Sequence, residues 1–576
     1  MRAGRSPSAA GKNSASHRKA VHTMERNFES LSQQTFDLAV IGGGIQGAAT
    51  AREAVLRGLK VALVEARDFA SGTSSRSTKL IHGGLRYLEQ ADFKLVGEAR
   101  RERRRLVELA PHLAQPVPFI LPIYRGDPYS PLKIRAGLSI YDLLGNLGAQ
   151  DRHRMLSSEA ARQLVPELRP EGLRAAALYH DSQTDDARLT LENVLDAAEH
   201  GAVVANYAEV RALSMSGGSG GEHGQVVAAE VEDLLTGRRH EISARFWVNA
   251  AGPWVDHIRA LLPGFDGSKT VRLTKGTHLT ISPVTGDYAL LAAILPGDRV
   301  FLMVPWGEYA LLGTTDTDYQ GDPAAALPER SETEYLLGAA NRVLRSPLRL
   351  SDVAGSWTGL RALAVEPRGA GKAPSANTRE YRFHEDLWAK NFVSICGGKL
   401  TTHRALGEKL IDFLRPRLGE SGPRALSARP TRTAPLPGGR TGPFAAFVKS
   451  ATENAVREFS LAPPVAQRIV RTYGSRWREV LELVREQKSL AEPLPGSPTL
   501  VAAEVEFAVR HEMALKVEDF LLRRSGLSWK ASMLSEAAPA VAKIFASRLG
   551  WSAEERLEAV ETFARSAGTP EGQRFS

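Results

Sequence analysis

The sequence predicts an α/β fold with two structural parts: a large region of mixed strands and helices up to about residue 430, then an α-helical C-terminal domain. Three observations predict it. A βαβ unit with a glycine turn opens the folded chain, strand-like and helical stretches follow without a repeat period, and a Pro/Gly/Arg-rich segment then gives way to helical periodicity.

The βαβ unit lies in "FDLAVIGGGIQGAATAREAVLRGLKVALVEARD". A β-branched run (Leu38 to Ile41) leads into the turn, a helical stretch covers Ile45 to Arg57, Gly58 stops it, and a second strand covers Lys60 to Glu65. The turn satisfies G-x-G-x-x-G with Gly42, Gly44 and Gly47, Gly43 lying between them. Gly42 permits the tight turn, Gly44 lets backbone approach a pyrophosphate, and Gly47 allows helix and strand to pack closely. The helix N-terminus adds N–H groups and the positive end of a dipole. Glu65 closes the second strand, where a carboxylate binds a ribose hydroxyl and repels a 2′-phosphate, which argues against NADP.

Farther along, "ARFWVNAAG", "RVFLMVPWGEYALLGTTDTDY" and "NFVSICGGK" alternate with helical stretches. Two of these runs end in glycine turns, at Asn249 to Trp254 and at Asn391 to Arg404. A cofactor touched by segments so far apart fits a flavin on a discontinuous Rossmann-like domain better than NAD on one compact half. Gly397 and Gly398 precede a helical run from near Leu400, which aims a helix N-terminus at the pyrimidine ring of such a flavin. The segment "RPTRTAPLPGGRTGP" then reads as a linker. After it, Val505, Val509, Met513, Val517, Phe520 and Leu521 recur at helical spacing until Gly526.

Composition narrows the function. No apolar run approaches the eighteen or more residues of a spanning helix. The single cysteine, Cys396, excludes an intrachain disulfide and any Cys-cluster metal site; it reads as a small residue packed near the flavin. The net charge is +9, but the first 34 residues carry six basic groups against two acidic ones and no apolar core of a signal peptide. They read as a disordered, dispensable tail, with Met24 as an alternative start. "HEMAL" at His511 lacks the second histidine of a zinc motif, so no metal is expected. "RRERRRLVEL" at Arg100 to Leu109 reads as a solvated helix face and not a nucleic-acid surface.

The richest stretch is "TSSRSTKLIHGGLRYLE". Together with "VIGGGIQGAATA", "LAPHL", "VNAAGPWVD", "LTKGTHL", "LLGTTDTDY", "GLRAL", "SICGGKLTT", "LPGG" and "EMALKVEDFLLRR", it closely resembles the FAD-dependent sn-glycerol-3-phosphate dehydrogenase family over about residues 35 to 530. The one departure noted is His403, where a tyrosine is associated with the motif. The resemblance implies a D-amino-acid-oxidase-like flavoprotein fold: FAD-binding segments near 35–110, 175–260 and 350–420, an interleaved mixed-sheet substrate domain within 35–430, and a helical domain over 431–576. It implies FAD contacts from Gly42, Gly43, Gly44, Gly47, Glu65, Ser74, Ser75, Lys79, Gly83, Gly84, Ala250, Gly252, Gly397, Gly398, Leu400 and Thr401.

It further implies oxidation of sn-glycerol 3-phosphate to dihydroxyacetone phosphate by hydride transfer to FAD. Arg86, Tyr87, Arg361 and Lys399 are expected to hold the phosphate, since an arginine fork donates two hydrogen bonds to it. His82, His278 and Lys399 are the candidates for the base, unranked. Electrons are expected to pass to a membrane quinone from a cytoplasmic enzyme lying on an anionic inner leaflet, with Leu400 to Leu418 either an amphipathic contact helix or a helix packed on the core with a charged outer face. A homodimer is a further expected partner, and nucleic acid is not. The alternatives are a glycerol-3-phosphate oxidase using oxygen, an amino-acid or amine oxidase, and a flavin-binding scaffold.

Overall fold

A computed structural model describes residues 23–88, 92–145, 152–217, 224–294, 299–365, 380–418, 427–527 and 530–566. The glycine-turn unit forms as its sequence dictates. Strand Thr35–Ile41 enters the turn, helix Ile45–Leu56 leaves it, and strand Val61–Val64 returns beside the first in parallel. Strand Arg239–Asn249 flanks Thr35–Ile41 in parallel on the other side, followed by Phe392–Cys396, while Val203–Ala205 lies beyond Val61–Val64. Five parallel strands drawn from residues 35 to 396 thus form one sheet, which makes this domain discontinuous. Arg382–Glu385 adds antiparallel at one edge, and the hairpin Ala208–Ser216/Gln225–Asp233 joins Arg239–Asn249.

Parallel strands are buried on both faces, so helices must cover them. Helix Ile45–Leu56 packs so closely on helix His403–Leu418 that a Cβ at Gly407 would lie 2.8 Å from the Ala49 carbonyl oxygen. Leu406, Leu410, Ile411 and Leu414 are fully buried in that layer. This corrects the lipid-contact expectation for Leu400 to Leu418: the apolar stripe faces protein, and Phe413 packs on Phe383 at 5.5 Å. No helix among the described residues is long and apolar enough to cross a membrane.

Interleaved residues build a second, mixed sheet of ten strands. Its longest ladders join Ala114–Tyr124 to Leu173–Thr184 and Val271–Ile281 to Val353–Ala364, both antiparallel. Residues 175–184 and 353–364, expected among FAD-binding segments, therefore belong mainly to this second sheet.

Three further differences concern the ends. Of the tail assigned to residues 1–34, 1–22 lie outside the described residues, but 23–34 are folded. Met24 is buried, helix Phe28–Ser32 follows, and the Arg26 guanidinium donates to the Asn206 carbonyl (3.0 Å) and pairs with Asp233. The Pro/Gly segment is no free linker either. Thr431, Leu436, Pro437, Gly438 and Gly439 are buried, and Leu436 joins a cluster with Ile45, Ile81 and Leu106. The hydrophobic core of the helical domain begins only at Val448. Finally, the expected helix over 505–521 is two helices, Ala502–His511 and Val517–Arg523. Met513 breaks it with φ +54°, and its carbonyl accepts from Asn206 Nδ2 at 2.9 Å.

The domain contact is charged and buried. Asp68 accepts from Arg524 Nη1 at 2.7 Å and Nη2 at 3.0 Å, and from Arg523 Nε. Tyr207 donates to Asp519 at 2.6 Å, and Arg188 pairs with Glu512 at 2.6 Å. His112 bonds Glu192 at 2.9 Å beside them. Asp68 lies three residues after Glu65, so the helical domain grips the loop that leaves the second parallel strand.

Candidate functional site

Strands Thr35–Ile41, Val61–Val64, Arg239–Asn249 and Phe392–Cys396 all end at one edge of the parallel sheet, where Ile41 pairs with Asn249 and with Val64. Their carboxyl ends open into a cavity of about 930 Å³, the position where open α/β sheets bind ligands. Gly42, Gly44 and Glu65 reach it from the first unit; Ala250 and Gly252, and then Gly397, Gly398, Lys399, Leu400 and Thr401, reach it from the two later turns. The loop after Glu65 contributes Ser74, His82 and Gly84, and the second sheet contributes His278 and Arg361.

Each fingerprint glycine has a separate steric cause. Gly42 has φ +111°, and a Cβ there would stand 2.7 Å from the Ala250 carbonyl oxygen. A Cβ on Gly47 would overlap the Gly42 carbonyl oxygen, so helix and turn meet only through glycine. At Gly44 the nearest neighbour of a Cβ is Ser74 Oγ at 3.3 Å, and the remaining side is cavity. A dinucleotide fits this cradle.

Glu65 is fixed by two backbone donors, Gly43 N at 2.7 Å and Arg67 N at 2.9 Å. Burial nonetheless pushes its carboxyl above the usual range against those two bonds. At the far turn, Gly397 (φ +80°) and Gly398 (φ +99°) swing the chain into the helical segment from Leu400, and Gln46 Nε2 donates to the Gly397 carbonyl at 2.6 Å. Thr401 Oγ1 accepts from His82 N and donates to His82 O, both at 3.2 Å. This locks the histidine loop to the last glycine turn.

Arg361 sits on Val353–Ala364 opposite Thr274. Its Nη1 donates to Asp316 Oδ1 at 3.1 Å and Thr315 O at 3.2 Å, and its Nη2 to Thr314 Oγ1 at 3.1 Å. His278 stacks on Trp357 with centroids 5.3 Å apart and bonds Thr78 Oγ1 through Nε2 at 2.9 Å. Burial, then the charges of Arg361 and Lys79, hold its imidazole down at about 3, so it is neutral at physiological pH.

Several expected contacts lie elsewhere. Lys79 is behind the wall, its ammonium 2.5 Å from Asp186 Oδ1. Ser75 is buried, and its carbonyl accepts from Lys79 at 3.3 Å. Gly83 packs on Arg100 and Tyr141, and Gly43 on Phe69, so neither faces the cavity. Cys396 is buried with Val255, Val271 and Ala364, and burial raises its thiol to about 11. His403 is also buried off the cavity, bonded through Nδ1 to Leu400 O at 2.7 Å and lowered by burial to about 4. Arg86 and Tyr87 lie on the turn Leu85–Leu88, whose Leu85 and Leu88 line the cavity; their side chains fall outside the described residues. The sequence reading missed Asp316, Asp181 and Arg76, all on the cavity. Asp316 and Arg76 stood inside quoted motifs, whereas nothing in the sequence signals Asp181.

The buried histidines fix a pH response. In the unfolded chain they protonate near 6.5, in the native protein only near 4 (His403) and 3 (His278), so stability falls as pH drops below 6.5. Burial alone would raise Glu192, but His112 and Arg188 outweigh it and hold it near 2; the stability it adds above pH 4.5 is lost as pH falls toward 2. Glu65 works in the opposite direction. A thermal midpoint falling steadily from pH 6.5 to 4 is expected, and His403→Gln should flatten the slope by on the order of 3 kcal/mol at pH 4. An unchanged slope in that variant would exclude His403 as a cause.

Residues 37–412 match the family model described as FAD dependent oxidoreductase, and residues 429–556 match the C-terminal domain of alpha-glycerophosphate oxidase. An aerobic glycerol-3-phosphate dehydrogenase of Staphylococcus haemolyticus is 34% identical over 94% of this chain and 96% of its own length. A glycerol-3-phosphate dehydrogenase of Synechocystis is 36% identical over 92% and 96%. Among solved structures, the glycerol-3-phosphate dehydrogenase from Bacillus halodurans complexed with FAD superimposes with a TM-score of 0.74 at 30% identity, covering 94% of this chain and 96% of that one.

Proposed function

Because this chain belongs to the family of FAD-dependent glycerol-3-phosphate dehydrogenases, we propose that its cavity oxidises sn-glycerol 3-phosphate to dihydroxyacetone phosphate and that the electrons leave to a membrane quinone. FAD supplies the hydride acceptor for the substrate's C2 carbon. The observation that carries the reading is that Arg361, Lys399, His82 and His278 line the same cavity as the nucleotide-binding glycines.

In this reading the phosphate dianion meets Arg361 and Lys399. Asp316 keeps the guanidinium plane fixed before substrate arrives. A neutral glycerol lacks the charge to compete for that position. A base near neutral pKa takes the C2 hydroxyl proton most effectively. His278, held near 3, is a poor one, and its place against Thr78 and Trp357 suits an orienting hydrogen bond instead. His82 remains as the proton acceptor where Lys399 serves the phosphate as a cation; Lys399 takes that role only in its neutral form. Gly42, Gly44 and Glu65 would hold the nucleotide half of FAD, and Gly397, Gly398, Leu400 and Thr401, on the same cavity, would hold its flavin half.

Helix Pro131–Gly145 supports the quinone and membrane part. Ile134, Gly137 and Ile140 line the cavity, while Leu132, beside Lys133 and Arg135, and Leu143, farther along the same helix, are 76% and 79% exposed. Apolar side chains flanked by cations suit an anionic bilayer surface.

Anaerobic addition of sn-glycerol 3-phosphate should bleach the flavin absorbance, whereas glycerol and amino acids should leave it unchanged. Reoxidation should then be faster with quinone in anionic vesicles than with oxygen, and Leu132→Asp/Leu143→Asp should slow the vesicle reaction alone. Bleaching by an amino acid, or by nothing, would overturn the substrate assignment; faster reoxidation by oxygen would favour an oxidase.

A further inference from the structure

Arg76 is a cation on the cavity wall whose side chain makes no hydrogen bond or ion pair with any described residue, and its Nε is buried without a partner. The contrast with its neighbours is sharp. Arg361 is paired with Asp316, and Lys79 with Asp186. The charges that act on Arg76 are those of Arg523 and Arg67, both positive; burial and these two hold its guanidinium below its ordinary value, at about 10. Arg76 is half-buried, and a partly desolvated charge without a counter-charge costs stability, so a fold that keeps one has an anion to place there.

The backbone leaves Arg76 no freedom to withdraw. Its N–H donates to Thr73 O at 3.1 Å, and its carbonyl oxygen occupies the space a Cβ on Gly359 would need. Two residues earlier, Ser74 Oγ accepts from Ile45 N at 2.9 Å at the start of the fingerprint helix. The glycine turn itself offers N–H dipoles but no cation. Gly42 N already donates to Val64 O at 2.8 Å, Gly43 N to Glu65 and Ile45 N to Ser74. A doubly charged pyrophosphate resting on that turn therefore needs a cation from outside it.

We propose that Arg76 binds the pyrophosphate of FAD, supplying the positive charge that the glycine turn lacks. The inference rests on the cofactor alone and is indifferent to which substrate the enzyme oxidises.

Apoprotein of the full chain, freed of flavin, is titrated with FAD and with riboflavin, which lacks phosphate. In Arg76→Ala, FAD should bind roughly ten- to a hundredfold more weakly, as for a lost charge-assisted hydrogen bond, with riboflavin affinity unchanged. Arg76→Lys should recover part of the loss. The apoprotein of Arg76→Ala should melt no lower than wild-type apoprotein, since it loses an unpaired, half-buried charge, while the rise in thermal midpoint on adding FAD should shrink. Unchanged FAD affinity would overturn the proposal. Equal weakening of FAD and riboflavin would place the arginine at the ring instead, and a less stable apoprotein would show that Arg76 has a structural partner; either result also overturns it.

Discussion

Arg361→Ala is expected to raise KM for sn-glycerol 3-phosphate by roughly one to two orders of magnitude while FAD stays bound. Hydrogen bonds to a charged group each contribute about 1.5–3 kcal/mol, and the substitution removes the fork that offers them. A second effect has the same sign. Asp316, which now accepts from Arg361 at 3.1 Å, is left as an uncompensated carboxylate on the cavity wall and repels the incoming dianion. Arg361→Ala/Asp316→Asn should therefore bind substrate better than Arg361→Ala alone. A rise in KM with kcat nearly retained would mark binding that is equal in ground and transition states. Unchanged KM in the single variant would remove Arg361 from the substrate site, and loss of flavin would reassign it to the cofactor.

Asp68→Ala is expected to destabilise the protein by about 3–5 kcal/mol, the usual effect of removing one partner from a buried ionic cluster. Arg523 and Arg524 both converge on this carboxylate and both are buried, so its loss takes their shared counter-charge and leaves Asp519 to Arg523 and the Asp519 and Glu512 carbonyls to Arg524. Replacing all three by apolar residues of similar volume should cost far less. Thermal denaturation and limited proteolysis around residues 427–443 provide the measurement. An Asp68→Ala protein with wild-type stability and protease resistance would show that the cluster contributes nothing to docking.

The parallel sheet was legible because its opening unit combines a β-branched run, three glycines with separate steric duties and a closing Glu65. The glycine turns at 250–252 and 397–398 were legible for the same reason: sharp turns after strands leave a mark on composition. What stayed hidden depends on partners far along the chain. Lys79 matches its motif, yet Asp186, 107 residues away, draws its ammonium off the cavity. Periodicity reports burial, not what does the burying. The stripe Leu406, Leu410, Leu414 reads alike against lipid or against helix Ile45–Leu56. Likewise the spacing from Val505 to Leu521 persists across two helices, because both bury their faces in one core while Met513 interrupts the backbone. Arg26 belongs to a tail of basic and small residues, and only Asp233 and the Asn206 carbonyl make its segment part of the fold.

The loop from Glu65 through Asp68 to Ser74 joins two events that look unrelated. Its two ends line the cavity, and its middle is the anchor for the carboxyl-terminal helices. Reciprocity between linked equilibria then applies: filling the cavity should slow detachment of those helices, and severing them should hasten escape of the coenzyme. Flavin content thereby becomes a gauge of whether the chain is intact.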